Sequence, residues 1–135
     1  MTQQSHRALA IKPADTVVFT AMSKKYFYMI FFVTKFALDQ GVVPINPFTS
    51  FDYFLLDAVE RDTVRRANNT LVARADELWV FGDIADGVRA EVVQAWQQQK
   101  TVRFFVFRDD KHIYEVAIND VVYEDGVEPL IHIGE

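Results

Sequence analysis

Cysteine is absent from the 135 residues, which excludes disulfides, thiolate catalysis and cysteine zinc sites, and leaves the redox compartment unreadable. A basic surplus is missing too. The net charge is −5, which argues against general nucleic-acid binding and leaves only a local basic patch open. Long hydrophobic runs are also lacking: the longest, Tyr26 to Val33, is too short to cross a bilayer. The opening "MTQQSHRALAIKPAD" is polar and has no apolar stretch of the secretory type. A cytoplasmic protein off the membrane is therefore expected, with residues 1–14 as a polar arm. His6, His112 and His132 are scattered without metal-ligand spacing, so neither a metal nor a cofactor is expected. The chain shows no internal repeat and no low-complexity segment.

What remains suits one globular domain spanning 1–135. Hydrophobic residues make up 50% and charged ones 24%, the balance of a chain that can bury a core. "TVVFTA" (16–21) is β-branched and apolar and reads as a buried strand. Residues 24–40 contain neither Gly nor Pro and stop at Gly41; their length favours a helix over a strand. "VVPI" (42–45) is a second strand and "NPFTSFDYF" a loop. Residues 60–74 set Val64, Ala67 and Leu71 at helical spacing. A strand at 77–82, a helix at 87–99 and a strand at 101–107 follow. "HIYEVAI" reads as a strand or turn, and "PLIHI" (129–133) as another.

Alternating strands and helices with short links predict an α/β fold. The expected form has three layers: a flavodoxin-like parallel sheet of four or five strands with helices on both faces. Ligands of such sheets bind beyond the carboxyl ends of the strands. Here those ends carry "AMSKK", "NPFTSFD" and "GDIADG". The helix 24–40 is apolar nearly all round, with Phe27 and Phe31 on one face, Tyr28 and Phe32 on another, and Met29, Val33 and Phe36 on a third. An exposed patch of that kind invites association, so a homo-oligomer through this helix is expected.

One residue breaks the pattern. On a helix opening near Gly87, Val88, Glu91, Val92 and Ala95 share a face, and only Glu91 is not apolar. With Asp86 as N-cap, a capping-box acid would occupy position 89, which is Arg89. Glu91 lies beyond the first turn, where a helix dipole has faded. It is either paired with an arginine or aimed at a ligand in the strand-end crevice.

The order "NP…ADELWVFGDIADGVRAEVVQAWQQQKTVRFF" resembles the nucleoside 2-deoxyribosyltransferase superfamily, and more closely an uncharacterised branch of it. That branch's pattern is met by Pro47, Glu60, Arg61, Leu78 to Gly82, Gly87, Glu91, Ala95, Lys100 and Val102. The resemblance covers roughly residues 16–107. It implies a nucleoside or nucleotide ligand, with Glu91 as the catalytic nucleophile that attacks C1′ and holds a glycosyl ester. Substrate contacts are expected from Phe19, Ser23, Asn46, Asn68, Asp83, Asp86 and Gly87. The chain departs from the superfamily at several of these positions. Phe19 stands where a tyrosine usually orients the nucleophile, and Asn68 stands at about the place of a second carboxylate that moves a proton to the base. Ala85 replaces a loop acid. A non-catalytic nucleotide-binding module, or a structural oligomer with a degenerate site, is the alternative.

Other residues read as structural. Asp76 suggests a turn, Arg61, Arg65 and Arg66 a solvated helix face, and Trp79 core. Trp96 flanks either the pocket or a partner. Ser23, Lys24 and Lys25 suit a solvated helix start more than a phosphate site. In an apolar pocket burial should raise the Glu91 pKa, but the helix N-terminus and a nearby arginine are expected to hold it charged near neutral pH.

Overall fold

The computed structural model describes residues 6–51, 58–109 and 112–131. Its centre is a sheet of five strands: β1 (Val17–Met22), β2 (Val43–Ile45), β3 (Glu77–Phe81), β4 (Thr101–Arg108) and β5 (His112–Val116). They lie in the order β2-β1-β3-β4-β5. Helices α1 (Ile30–Asp39), α2 (Pro47–Ser50), α3 (Arg61–Arg74) and α4 (Asp86–Gln97) come between them in the chain. The first four strands are parallel, which makes this the expected α/β fold.

The fifth strand departs from an all-parallel sheet. β5 runs antiparallel to β4, pairing Phe104 with Val116 and Arg108 with His112. Length is the reason. A parallel return needs a crossover of a dozen or more residues, and only positions 109–111 separate the two strands. "HIYEVAI" is therefore the outer arm of a hairpin.

Alternation along the strands divides the core in two. Phe19, Ala21, Leu78 and Val80 face one way and pack with Val72 of α3 and Val88, Val92 and Ala95 of α4. Val18, Met22, Trp79, Phe81 and Phe105 face the other way and pack with Met29 and Val33. Strands covered on both faces read as continuous apolar runs rather than alternating ones, which is why "VVFTAM" and "ELWVF" look alike in the sequence. The outer seam is stapled by side chains. Lys100 Nζ donates to the carbonyls of Ala73 (3.1 Å) and Ala75 (2.6 Å), closing the end of α3. Asp76 Oδ2 accepts the Val17 N–H at 2.8 Å, so this acid anchors the start of β1.

The helix expected over 24–40 is two pieces. Lys24–Met29 is a 3₁₀ helix with Ser23 as its N-cap, and Tyr26 lies off helical geometry at φ −96°, ψ 15°. Its hydroxyl accepts the Asp83 N–H at 3.0 Å, and its ring lies against Gly82. That tertiary contact replaces α-helical spacing in the first turn. α1 then ends in a Schellman arrangement: Gly41 sits at φ +84°, its N–H on the Leu38 carbonyl and that of Val42 on Ala37. Phe36 proves to be core, with its ring against Trp79, Phe81 and Phe105. Tyr28, Phe31 and Leu38 remain exposed at 71%, 69% and 57%. The outer face is thus narrower than an all-round apolar helix, yet still aromatic.

Two loops also differ from expectation. "NPFTSFDYF" opens as a single helical turn, α2, with Asn46 as N-cap and Pro47 in its first turn; positions 52–57 lie outside the described residues. Of "PLIHI", residues 129–131 form no strand and 132–133 lie outside the described residues. Instead, residues 117–131 make an irregular strap across the start of α4. Ile118, Val121, Tyr123, Val127 and Leu130 of this strap pack on the core, and Ile84 bridges to Tyr123. Among the described residues, no helix is long and apolar enough to cross a membrane.

Candidate functional site

Five of the expected site residues fall into three groups. The first two are linked through Lys25, whose N–H donates to Ser23 and whose Nζ bonds Asp83, while among the described residues no hydrogen bond joins either to the third. The first holds the ends of β1 and β2. Asn46 Nδ2 donates to Thr20 Oγ1 at 3.0 Å, and its Oδ1 accepts the Phe48 N–H at 2.8 Å. Thr20 Oγ1 in turn donates to the Ile45 carbonyl at 3.0 Å. The buried Asn46 therefore spends its amide on joining two strands and capping α2. Ser23, also buried, accepts the Lys25 N–H at 3.4 Å.

The second group surrounds the loop after β3. Lys25 Nζ lies 2.9 Å from Asp83 Oδ2 and 3.7 Å from Glu124 Oε2 of the strap. The hydrogen bond to Asp83 holds the Lys25 pKa above its usual value. Burial raises that of Tyr26, against the opposing hydrogen bond from the Asp83 backbone. Gly82, at φ +83°, is required here: a Cβ would come within 2.4 Å of the Tyr26 ring. The sequence reading placed Asp83 at a strand end but missed Tyr26 and Glu124. An aromatic in a polar "SKKY" start was the only signal for the first, and nothing local marked the second.

The third group is the pair between α3 and α4. Asn68 lies one turn before the buried Val72, and Glu91 lies between Val88 and Ala95 on the inner face of α4. Asn68 Nδ2 donates to Glu91 Oε2 at 2.7 Å. Burial pushes the Glu91 carboxyl up from 4.5 to about 7, opposed by the Asn68 N–H. The residue as a whole keeps some exposed surface, whereas its carboxyl group is buried. This reverses the expectation of a group held charged by helix and arginine. Among the described residues no cation contributes to the shift, and the nearest arginine in sequence, Arg89, turns its Nε to the Glu128 carbonyl at 2.7 Å. Glu91 is also the sixth residue of α4, too far from the N-terminus for the dipole to offset burial.

The remaining residues take simpler places. Phe19 is fully buried in the core between the sheet and α4. Asp86 is exposed at the first position of α4; Ala85, not Asp86, is the N-cap and makes no side-chain cap. Gly87 is exposed in ordinary helical geometry, and a Cβ there would meet open space. Arg65 pairs with Asp62 at 2.9 Å on the outside of α3, and Trp79 is core. Trp96 packs partly buried against the α3–α4 core. No group of three or more metal-ligating side chains occurs among the described residues.

Chemically, the Asn68–Glu91 pair is a carboxyl that changes charge near neutral pH, oriented by a neutral donor. Such a group can attack a carbon when ionised or carry a proton when not. A family model described as a domain of unknown function (DUF7768) matches residues 19–105, from β1 through β4. No curated protein matches the chain.

Proposed function

We propose the following for this chain, which belongs to the DUF7768 family, a domain of unknown function: it cleaves or transfers the N-glycosidic bond of a nucleoside or nucleotide, with Glu91 as nucleophile. The single observation that supports this most is a buried carboxyl on the inner face of α4, bonded by an amide rather than neutralised by a cation. A structural acid in a core is ordinarily paired with a base. The resemblance to nucleoside 2-deoxyribosyltransferases, carried by Gly87, Glu91 and the strand before them, supplies the reaction class.

In this reading a Glu91 oxygen attacks C1′ of the sugar. A C–O ester bond forms as the C–N bond breaks, and the base departs with the bonding pair. Asn68 holds Oε2 and leaves Oε1 to react. An amide is no acid at neutral pH, so the departing base takes its proton from water or carries it already on a ring nitrogen. Water or an acceptor base then attacks C1′ and releases the carboxylate. Chromatography of free base, after incubation with a panel of nucleosides and nucleotides, tests the proposal. Glu91→Gln should reduce release by orders of magnitude, and release that survives in that variant would remove Glu91 from the role.

A second reading has its own support. Asn68 occupies about the place where the resemblance implies a proton-transferring acid, and the exposed Tyr28, Phe31 and Leu38 offer an association surface. A nucleotide-binding module that assembles through helix 24–40 would use both features. Ligand-dependent thermal stabilisation without base release would favour it.

A further inference from the structure

Two buried side-chain oxygens lack a hydrogen-bond partner among the described residues: Glu124 Oε2, which has Lys25 Nζ at 3.7 Å, and Asn68 Oδ1, which has no such neighbouring charge. Asn68 Nδ2 is committed to Glu91, while Asn68 Oδ1 is buried and has no hydrogen-bond partner among the described residues. A buried carbonyl without a donor is destabilising, and native proteins nearly always supply one. The proton of a neutral Glu91 is one candidate, reached by turning the amide over. An ionised Glu91 has no proton to give and needs the Nδ2 side for itself. It is the ionised form that attacks a sugar carbon, so in the reacting state Oδ1 is left for a donor from outside the pair.

We propose that Asn68 Oδ1 accepts a hydrogen bond from the 2′-hydroxyl of the substrate sugar, so that the site selects ribosides over 2′-deoxyribosides. The inference rests on the reading of Glu91 as the group that attacks C1′. With C1′ at the carboxylate, the 2′-hydroxyl sits on the next carbon, and Asn68 Oδ1 is on the amide that already touches that carboxylate. Hydrogen bonds at this hydroxyl strengthen as a glycosidic carbon gains positive charge. A site that offers a buried acceptor also rejects the analogue that cannot fill it, because the acceptor is then left unpaired. Asn68 is a specificity-determining residue in this scheme, not an acid.

The experiment compares adenosine with 2′-deoxyadenosine, and cytidine with 2′-deoxycytidine, by kcat/KM for base release and by thermal stabilisation at millimolar ligand. The unmodified protein should favour the riboside by about tenfold to a hundredfold, the cost of one unfilled buried acceptor. Asn68→Leu should bring the ratio to within about threefold of unity, on the same principle that no acceptor is left to satisfy. A purely structural role for Asn68 would lower both rates together and leave the ratio unchanged, and that outcome overturns the proposal. Should Asn68→Leu not fold, Asn68→Ala carries the same comparison. Equal or reversed rates in the unmodified protein overturn the selection by Asn68 and leave Glu91 in place. Neither release nor stabilisation with either sugar overturns both readings at once.

Discussion

Replacing Glu91 with Gln should make the protein more stable at alkaline pH and change little in acid. The carboxyl titrates at 4.5 when solvated and at about 7 when folded. Below both values it is neutral in either state and costs nothing. Between them the unfolded chain ionises while the folded one holds its proton, so stability falls as pH rises through this window. Above about 7 the loss is complete, at about 3 kcal/mol from about 1.4 kcal/mol per tenfold of proton affinity. Gln removes the titration. Its amide can also form a closed pair with Asn68, Oε1 accepting from Nδ2 and Nε2 donating to the unpartnered Oδ1. Urea denaturation at pH 5 and pH 8 of both proteins measures the effect. The gain from Glu91→Gln should be about 1 kcal/mol at pH 5, where the solvated carboxyl is already mostly ionised, and about 3 kcal/mol at pH 8, worth roughly 10 °C in melting temperature for a domain this size. An equal gain at both pH values, or a loss at pH 8, would refute the account of Glu91 as a buried, cation-free carboxyl.

Gly82→Ala should cost about 2 kcal/mol or more, since the new Cβ meets the Tyr26 ring and φ is +83°; chemical denaturation checks it. Lys100→Met should cost about 1 kcal/mol by leaving the Ala73 and Ala75 carbonyls without their donor, read the same way. Light scattering at micromolar concentration should find at least a dimer, converted to monomer by Tyr28→Ser with Phe31→Ser. Both side chains are mostly exposed, so folding stability should hardly change. A monomeric unmodified protein would rule out the contact. Base release, where it occurs, should rise with pH through about 7 as Glu91 ionises, and a rate that falls over that range would contradict a carboxylate nucleophile.

The central sheet was legible because its cause is local. β1, β3 and β4 are short apolar runs bounded by turn residues, and burial on both faces leaves that signature directly in the sequence. The hairpin to β5 was legible in principle, since three residues cannot carry a parallel crossover; "HIYEVAI" alone suits a strand or a turn and does not show its pairing. The 3₁₀ start of helix 24–40 was not legible. Its cause is Gly82 and Asp83, nearly sixty residues away, which draw Tyr26 out of helical spacing. The strap was hidden for a related reason. It has no periodicity of its own, and side chains such as Tyr123 and Leu130 are placed by packing against a core built from distant elements.

The candidate site was half legible, and the missing half bears on the chemistry proposed for it. A carboxylate among Val88, Val92 and Ala95 stands out by spacing alone, so Glu91 could be found. Its charge state could not, because that depends on which of three influences wins: burial, helix dipole or a nearby arginine. Spacing placed Glu91 on the inner face but did not show that Arg89 would bond the strap instead. Nor did it show that the residue facing Glu91 from α3 would be a neutral amide. Asn68 looked like a lost acid when judged by the resemblance. Its position against Glu91 suggests a different use. A second carboxyl at this distance would share one proton with Glu91 and keep the pair from ionising together. An amide donates to the carboxylate without adding charge, so Glu91 can ionise near neutral pH despite its burial. Under the proposed function, the amide that cannot transfer a proton is thus the group that lets Glu91 ionise for attack. The alkaline stability penalty and the rising rate limb should then share a midpoint near 7. A rate limb displaced from the stability transition by more than about one pH unit, beyond the spread that neighbouring titrations introduce, would assign the two effects to different groups.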